Sequence, residues 1–442
     1  MAGRFLGGLA IGISSLAIPV YLSEFAPARI RGRLVGMYDM GIQVGTLAGF
    51  WINYGVAATL PANKFQWQFP VAVQLFPAAL LAVGMLFVPE TPRFLMSKGN
   101  YEQAEKNLCL LRGLPVDHEY MQWELTQNRE AAEAENLVRG DTGYWTLTKE
   151  LFKSKGHRTR LGLGLALLFF KTFSGVQAVN YYSPIIFEQL GFSGTKNSLF
   201  ATGIYGTVKF VATIIFSFFV VDRIGRRRPL MFNSIFGGLC LMFLGGYLTG
   251  VGPKPEGATR TAGDYIAIIA IFAYAAAYCF GYNSVPLTLI SEIFTMRFKL
   301  LSMSLCLAWQ WLCTFSIVRI MPVALRTITT RTYFIFGTIF LSSTIFVYFF
   351  IPETKVRPPS AAHSSRQIST LILSPPSVQG LPLEAMDNLF GGIERTDAEA
   401  AILGVNELKH KNEGTSEFGE HAEHDSGAIA RTGTLATISE RK

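Results

Sequence analysis

The stretch FATGIYGTVKFVATIIFSFFV, residues 200–220, is apolar along almost its whole length and carries a single charged residue, Lys209. A helix of this length is sufficient to cross the hydrocarbon core of a bilayer. In the predicted span 197–221, Lys209 lies about twelve residues, or roughly 17 Å, from either end, too deep for its ammonium group to reach the interface comfortably. An ionisable group at that depth is expected to face a partner or a hydrated cavity.

The whole chain has the composition of a polytopic membrane protein. Of its 442 residues, 50% are hydrophobic and 16% are charged, and the mean hydropathy is +0.31. Soluble domains carry roughly 25% charged residues. Nine segments are predicted to span the membrane: 5–22, 34–56, 69–88, 161–187, 197–221, 229–250, 264–291, 300–323 and 331–351.

The first segment is not a signal peptide, because it lacks a basic start and a cleavage site of small residues. The cysteines show no spacing typical of metal ligands or of a disulfide framework, so neither a metal nor a cofactor is predicted. They are Cys109, Cys240, Cys279, Cys306 and Cys313.

The net charge of +8 comes largely from loops that alternate along the chain. Eleven Lys and Arg residues lie between Arg93 and Arg160, and further basic clusters follow the first, fifth and seventh segments. The loop with Arg319, Arg326 and Arg331 is an exception to the alternation. By the positive-inside rule the basic loops are cytoplasmic, which predicts an external N-terminus and a cytoplasmic C-terminus. The basic charge is thus a topology signal, and nucleic acid is excluded as a partner.

Two pairs of similar motifs indicate an internal duplication. SEFAPARIRGR at Ser23 resembles SEIFTMRFK at Ser291, 268 residues later, and PETPR at Pro89 resembles PETK at Pro352, 263 residues later. A partner of DRIGRRR at Asp222 would, at a similar offset, precede Met1. The duplication therefore predicts that about three helices of the amino-terminal half are missing from this chain.

Several motifs, in order along the chain, resemble those of the sugar porters of the major facilitator superfamily. They are GRFLGGLAIG, PVYLSEFAPARIRGRL, PETPRFL, SGVQAVNYYSP, VVDRIGRRR and IPETK. FWINYG at 50–55, NYYSPIIF and the Val208–Lys209 pair are most similar to the fungal quinate permeases. The resemblance runs from Gly3 to about Phe390.

The resemblance implies an all-α multi-pass membrane protein of the major facilitator fold, with about nine of the usual twelve transmembrane helices, working by alternating access. Residues 1–88 would be the remainder of the N-terminal bundle, 89–160 a cytoplasmic helical linker, 161–351 the six-helix C-terminal bundle, and 352–442 a largely disordered cytoplasmic tail. Removing 356–379 from the tail would join PETK to GLPLEAMDNLF, as the family has it. These residues are interpreted as a retained intron or, alternatively, as a disordered insertion.

Two more ionisable groups are embedded like Lys209. Lys171 lies in the preceding helix, and Asp39 lies inside its own segment with Gln43 one turn further along. Three interpretations remain open. Both lysines line a central cavity and attract an anionic substrate; or one lysine pairs with Asp39 as a structural ion pair; or one lines a hydrated vestibule.

The resemblance supports the first interpretation. In sugar porters, paired glutamines before the SG motif bind the sugar, and here those positions hold Lys171 and Thr172. The remaining matching positions hold Gln177, Lys209, Asn283, Gln310, Trp311 and Thr314, and the aromatic usual after the broken-helix proline is replaced by Leu287. Two neutral groups are thus replaced by cations, which favours a hydroxylated carboxylate such as quinate over a neutral hexose, the alternative substrate.

The resemblance also implies two gates. Tyr181 and Tyr182 match the extracellular gate, although two aromatics of an interfacial belt would look the same. On the cytoplasmic side, acid–base pairs could bridge helix ends, or the charges could serve as topology anchors alone. The candidate residues are Glu24, Arg31, Glu90, Arg93, Asp222, Arg223, Gly225, Arg226, Arg227, Glu292 and Arg297.

The family residue responsible for proton coupling has no matching position in this sequence. Proton-coupled members use a carboxylate in the first helix, which is not in this sequence, and Asp39 is not assigned that role. Symport with protons is implied for a complete form alone. The chain has no G-x-x-x-x-G-K-[ST] loop, so the sequence does not indicate an ATP-driven pump. The implied partners are a small-molecule substrate, protons and the lipid bilayer, with the plasma membrane as location. An alternative of another class is a non-transporting nutrient sensor or an inactive truncated product.

Overall fold

The computed structural model describes residues 2–25, 31–139, 143–192, 194–220, 225–252, 261–294, 296–328 and 330–351. Within these ranges the secondary structure is helical and includes no strand, which confirms the predicted all-α fold. In chain order the helices are α1 (Ala2–Phe25), α2 (Arg31–Thr59), α3 (Lys64–Val73), α4 (Leu75–Met85), α5 (Pro92–Ser97), α6 (Tyr101–Arg112), α7 (Glu119–Arg139), α8 (Tyr144–Lys153), α9 (Lys155–Phe173), α10 (Val176–Gln189), α11 (Thr195–Ile215), a π-helical turn (Phe216–Val220), α12 (Arg227–Val251), α13 (Ala262–Cys279), α14 (Val285–Ile293), α15 (Met296–Thr327) and α16 (Arg331–Phe350).

Eight of the predicted membrane spans coincide, in the described part of the chain, with helical segments long and apolar enough to cross a bilayer. The second predicted span, 34–56, is helical within α2 but does not belong to that set. At 29 residues α2 is about 44 Å long, so its length is sufficient. Its glycines and polar side chains make it less apolar on average than the other eight segments.

Two predicted spans are broken rather than continuous. The segment 161–187 consists of α9 and α10, separated at Gly175, whose φ of +93° is left-handed and favours glycine. The segment 264–291 consists of α13 and α14, separated by residues 280–284. Pro286 follows this break in the first turn of α14, where a missing N–H costs little. The hydropathy pattern runs through both breaks, which is why it predicted single helices.

Several boundaries also differ from the prediction. The third span, 69–88, is replaced by α3 and α4, which meet at Gln74 and end at Met85. The helix α9 begins at Lys155, inside the stretch assigned to the linker. Basic residues at a helix end lower the hydropathy without ending the helix, so the charge pattern placed this boundary too late.

The two parts of the bundle meet where α2 packs against α11. The glycines of α11 allow this close approach, because a Cβ atom at Gly206 would lie 2.7 Å from the Phe50 ring. At Gly203 a Cβ atom would lie 3.2 Å from the Trp51 indole, whose Nε1 donates to Thr207 Oγ1 at 3.1 Å. This contact places the polar face of α2 beside the C-terminal bundle.

A buried triangle of hydroxyl groups joins α12, α16 and the break between α13 and α14. Tyr282 OH lies 3.2 Å from Ser234 Oγ and 3.0 Å from Ser343 Oγ, and the two serine oxygens are 2.9 Å apart. All three residues are buried. Because the groups satisfy one another, the irregular backbone at the break is fixed to two continuous helices.

The same break predicts an effect of adding one methyl group. A Cβ atom at Gly281 would lie 2.8 Å from the backbone oxygen of Pro229, which cannot rotate away. We expect Gly281→Ala to lower the free energy of unfolding by about 1–3 kcal/mol, as overpacking does. Thermal unfolding in detergent measures this. The control is Gly250→Ala on α12, where a Cβ atom meets nothing within 4 Å; equal melting temperatures for both variants would contradict the expectation.

Candidate functional site

Lys209 lies on α11 with 3% of its surface exposed. Its Nζ donates to Asn180 Oδ1 on α10 at 3.1 Å and lies 5.7 Å from the centroid of the Tyr205 ring. The hydroxyl of Tyr205 donates to the same Asn180 oxygen at 3.0 Å. The ammonium group is therefore held by an amide oxygen and an aromatic face, both of them neutral.

The described residues place no counter-ion in contact with the positive charge of Lys209. Among the described residues, no carboxylate oxygen lies within 4.0 Å of its Nζ. An ammonium group has three N–H donors, and Asn180 accepts from one of them. A buried charge held by neutral groups is costly, so such residues usually mark a functional site.

Sequence reasoning missed Asn180. It sits in the quoted NYYSP motif, next to the predicted gate tyrosines, and an amide within an apolar helix was the available signal. The sequence could not show that this amide faces Lys209, because the two residues are 29 positions apart on different helices.

Lys171 on α9 reaches the break between α13 and α14. Its Nζ donates to the backbone oxygen of Asn283 at 3.0 Å, and Asn283 Oδ1 accepts from Gln43 Nε2 at 3.3 Å. Three predicted site residues, from three separate segments of the chain, therefore form one continuous group. The broken helix is what makes this possible, because its carbonyl is available to a side chain.

Asp39 lies on α2, one turn before Gln43, and is partly buried. Its charge interacts with that of Lys171, but their nitrogen and oxygen atoms are not within the 4.0 Å of an ion pair. Asp39 therefore makes no contact ion pair with Lys171 in this geometry, and the three interpretations of the embedded charges stay predictions.

Three predicted substrate-binding residues carry buried polar atoms with no hydrogen-bond partner in the described part of the chain. These atoms are Gln43 Oε1, Asn283 Nδ2 and Gln310 Oε1. Buried polar groups are almost always hydrogen-bonded in folded proteins. Two acceptors and one donor are thus available for a ligand that carries hydroxyl groups.

The remaining predicted binding residues are arranged differently. The hydroxyls of Thr172 and Thr314 donate to carbonyls one turn earlier in their own helices, Leu168 O at 2.8 Å and Gln310 O at 2.9 Å. Gln177 is partly buried on α10, and Trp311 is 43% exposed on α15. The structure thus places these four residues without joining them to the contacts of Lys171 and Lys209.

The predicted extracellular gate lies at a kink of α10. Tyr182 has φ −120° and ψ 15°, outside the helical region, two residues before Pro184. Its hydroxyl donates to the backbone oxygen of Val318 on α15 at 3.0 Å, whereas Tyr181 is 57% exposed. The kinked helix is therefore attached to α15 through one tyrosine and presents the other outward.

Comparison with known proteins decides the family. A family model described as "Sugar (and other) transporter" matches residues 1–363. The chain belongs to the sugar transporter family. The predicted resemblance to the sugar porters of the major facilitator superfamily is confirmed.

Fungal relatives of this sugar transporter are described as quinate permeases. The "Probable quinate permease" of Aspergillus fumigatus is 38% identical over 402 residues, which cover 91% of this chain and 70% of the relative. The "Quinate permease" of Emericella nidulans is 38% identical over 390 residues, covering 88% and 68%.

The fold of the sugar transporter matches solved structures of a bacterial symporter. The proton:xylose symporter XylE bound to 6-bromo-6-deoxy-D-glucose is 25% identical, with a TM-score of 0.65 over 88% of this chain and 73% of that one. The inward open conformation of XylE from E. coli gives a TM-score of 0.60 at 25% identity, over 80% and 69%. The major facilitator fold is thereby confirmed.

At the end of α1 the sugar transporter attaches a predicted cytoplasmic acid, Glu24, to the start of the linker. Glu24 Oε2 accepts from the hydroxyl of Thr91 at 2.7 Å, and Thr91 also accepts from Phe94 N at 3.2 Å, capping α5. Tyr21 OH donates to Pro89 O at 2.9 Å. The partner of Glu24 in the described residues is therefore a hydroxyl group, and these bonds attach α1 to the start of the linker.

A buried ion pair attaches the linker to α1 as well. The Arg112 guanidinium makes two bonds to Glu124, Nη2 to Oε1 at 2.6 Å and Nε to Oε2 at 2.9 Å, and Nη1 donates to Phe25 O at 3.2 Å. The two side chains are 9% and 13% exposed. The hydrogen bonds from Glu124 hold the pKa of Arg112 above its ordinary value. One arginine thus joins α6, α7 and the last residue of α1.

The other predicted cytoplasmic residues with described side chains are either partly buried or exposed, apart from Gly225, which has positive φ. Gly225 has φ +88°, Arg226 and Arg93 are partly buried, and Arg227 donates to Tyr348 O while its guanidinium lies 5.1 Å from that ring. The side chain of Glu90 is exposed, and its backbone oxygen accepts from Asn107 Nδ2 at 2.9 Å.

Two groups of residues cannot be placed. The residues without a described side chain are Arg31, Glu292 and Arg297. Asp222, Arg223 and the tail 352–442, with 356–379, lie outside the described residues.

Proposed function

We propose that this sugar transporter carries a small hydroxylated carboxylate, quinate or a related sugar-like acid, across the membrane by alternating access. The observation that supports this most directly is Lys209, a buried ammonium group whose hydrogen-bond and aromatic partners in the described part of the chain are neutral. Leaving such a group without a counter-ion costs free energy, and a substrate carboxylate would recover that cost on binding.

Three buried amide atoms of the predicted binding residues suit the rest of such a substrate. Gln43 Oε1 and Gln310 Oε1 can accept from hydroxyl groups, and Asn283 Nδ2 can donate to one. Lys171 offers a second cation beside Asn283. In this proposal a lysine binds the carboxylate, and the amides of Gln43, Gln177, Asn283 and Gln310 bind the hydroxyls.

Alternating access would use both ends of the bundle. Tyr181 and Tyr182 would close the outer side at the kink of α10, and the contacts around Glu24, Thr91 and Arg227 would hold the inner side. Breaking one set while the other forms lets the two bundles rock around the site. We place the protein in the plasma membrane with a cytoplasmic C-terminus, and a complete form is proposed to couple uptake to protons.

A neutral sugar is the second candidate, because the XylE structure contains a 6-bromo-6-deoxy-glucose ligand at a similar fold. Such a ligand would use the unbonded amides but would leave Lys209 without a counter-ion. The two substrates therefore make different predictions about competition.

Uptake in proteoliposomes containing the full chain distinguishes the candidates. We expect accumulation of labelled quinate, inhibited by unlabelled quinate and not by glucose at the same concentration, because a carboxylate alone neutralises the ammonium group. Glucose that competes as well as quinate would favour the hexose transporter. Quinate that raises the melting temperature without being accumulated would indicate a sensor or an inactive product.

A further inference from the structure

The short helix α8 carries an exposed aromatic and basic face that the transport site does not use. Trp145 is 73% exposed and Phe152 is 51% exposed. Lys149 and Lys153 are exposed as well, and Lys149 Nζ lies 5.7 Å from the centroid of the Trp145 ring. Large aromatics left open beside lysines need an explanation, since exposed apolar patches usually mark a binding surface.

The opposite side of α8 fixes where this face lies. Leu147 and Leu151 are buried and belong to the same hydrophobic core as the C-terminal bundle. Ser154 alone separates α8 from α9, and its extended backbone, φ −76° and ψ 131°, ends the first helix before the second begins. Because α9 opens a segment long and apolar enough to span a membrane, we place α8 at the level where the bundle leaves the bilayer.

We propose that the face formed by Trp145, Lys149, Phe152 and Lys153 is a binding surface for the anionic headgroups of the adjoining bilayer leaflet. Trp and Phe insert at the depth of the headgroups, and lysines pair with anionic lipids at the same depth. The charge is complementary, since the basic residues continue past the helix with Lys155 and Arg158, both exposed. The surface is also continuous with the membrane that α9 enters, which favours lipid over a soluble protein.

Lipid quenching of tryptophan fluorescence tests this in the full chain. The protein is placed in phosphatidylcholine nanodiscs with a small fraction of phosphatidylserine, and either lipid carries bromine on its acyl chains. The contribution of Trp145 is the difference between the wild type and Trp145→Phe. Trp123→Phe is the matched control, since Trp123 is 55% exposed on the linker helix α7.

We expect brominated phosphatidylserine to quench Trp145 more strongly than the same fraction of brominated phosphatidylcholine. Each lysine near an anionic surface changes lipid affinity about fivefold, so Lys149→Gln with Lys153→Gln should lower the preference about 25-fold. High salt should lower it in the wild type, because exposed charges are screened. These residues are exposed, so the variants should keep the wild-type melting temperature.

Two results would overturn the proposal. Trp145 that is quenched by neither brominated lipid faces water, and the surface is then free for a soluble partner. Equal quenching by both lipids, unchanged in the double lysine variant, shows an interfacial helix without a site for anionic headgroups. Neither result depends on the substrate of the transporter.

Discussion

Replacing Lys209 by asparagine is expected to lower the kcat/KM for quinate uptake about 30-fold or more. Removing one member of a buried charge pair typically costs about 2 kcal/mol or more, and 1.4 kcal/mol corresponds to a factor of ten. In the proposed site the substrate carboxylate is the other member of that pair. Asparagine keeps a hydrogen-bonding side chain next to Asn180, so the change removes the charge with little change in polarity. Initial uptake rates in proteoliposomes, normalised to the amount of reconstituted protein, measure the effect.

The control is Lys196→Asn, on the same helix. Lys196 is exposed near the start of α11, where its Nζ donates to Ala58 O at 3.2 Å. Uptake by this variant should equal that of the wild type. The melting temperature in detergent supplies a second readout, since loss of a binding charge alone should not unfold the protein. A Lys209→Asn variant that melts well below the wild type would indicate a folding defect, and unchanged quinate uptake would remove Lys209 from the site.

Replacing Arg112 by alanine is expected to lower the free energy of unfolding by about 3 kcal/mol. Breaking a buried ion pair leaves Glu124 as an uncompensated charge, which typically costs 3–5 kcal/mol. The loss also removes the bond to Phe25 O, so the linker helices α6 and α7 should open away from α1. Thermal unfolding and limited proteolysis of the linker in detergent report the two effects separately.

The ion pair Lys106–Glu102 is the matched control, because it lies on the same helix α6 with side chains 64% and 83% exposed. Exposed pairs contribute little, so Lys106→Ala should leave the melting temperature unchanged. The double variant Arg112→Ala with Glu124→Ala should lose less free energy of unfolding than the two single variants lose when their losses are added. The reason is that no charge remains buried alone in the double variant. Arg112→Ala that behaves like Lys106→Ala would show that the pair is not buried in solution.

The sequence predicted the spans well because a helix that crosses a bilayer must be long and apolar, and the local composition shows both properties. It failed at Gly175 and at residues 280–284, where the apolar pattern continues through a change in backbone direction. Glycine and proline mark such positions, but hydropathy does not distinguish a break from a continuous helix. The start of α9, at Lys155 rather than at 161, was missed for a related reason. Charged residues indicate where the apolar part of a helix ends, and the helix itself can continue beyond them.

The residues of the candidate site could be predicted from the sequence only in part. Lys171, Lys209, Asp39 and Gln43 are visible because polar groups in apolar segments are rare. Their partners are not visible, because the contacts of Asn180 and Asn283 depend on how separate helices pack. The bond between the Thr91 hydroxyl and Glu24 illustrates the same limit, because the two residues are 67 positions apart in the sequence. Their roles in transport stay predictions until the variants are measured.

A substrate that binds the Lys209 ammonium group in the proposed site must compete with the amide oxygen of Asn180, which already accepts a hydrogen bond from it. An amide oxygen can accept two hydrogen bonds, and Tyr205 and Lys209 take both. A sugar hydroxyl that displaces the Asn180 oxygen from the ammonium group exchanges one neutral acceptor for another, so binding gains almost no free energy. A carboxylate makes the same exchange and gains a charge-assisted bond, which is roughly twice as strong. Selectivity for carboxylates over neutral sugars would then be set before any substrate binds. The Asn180 oxygen binds the Lys209 ammonium group about as strongly as a sugar hydroxyl would, but less strongly than a carboxylate would.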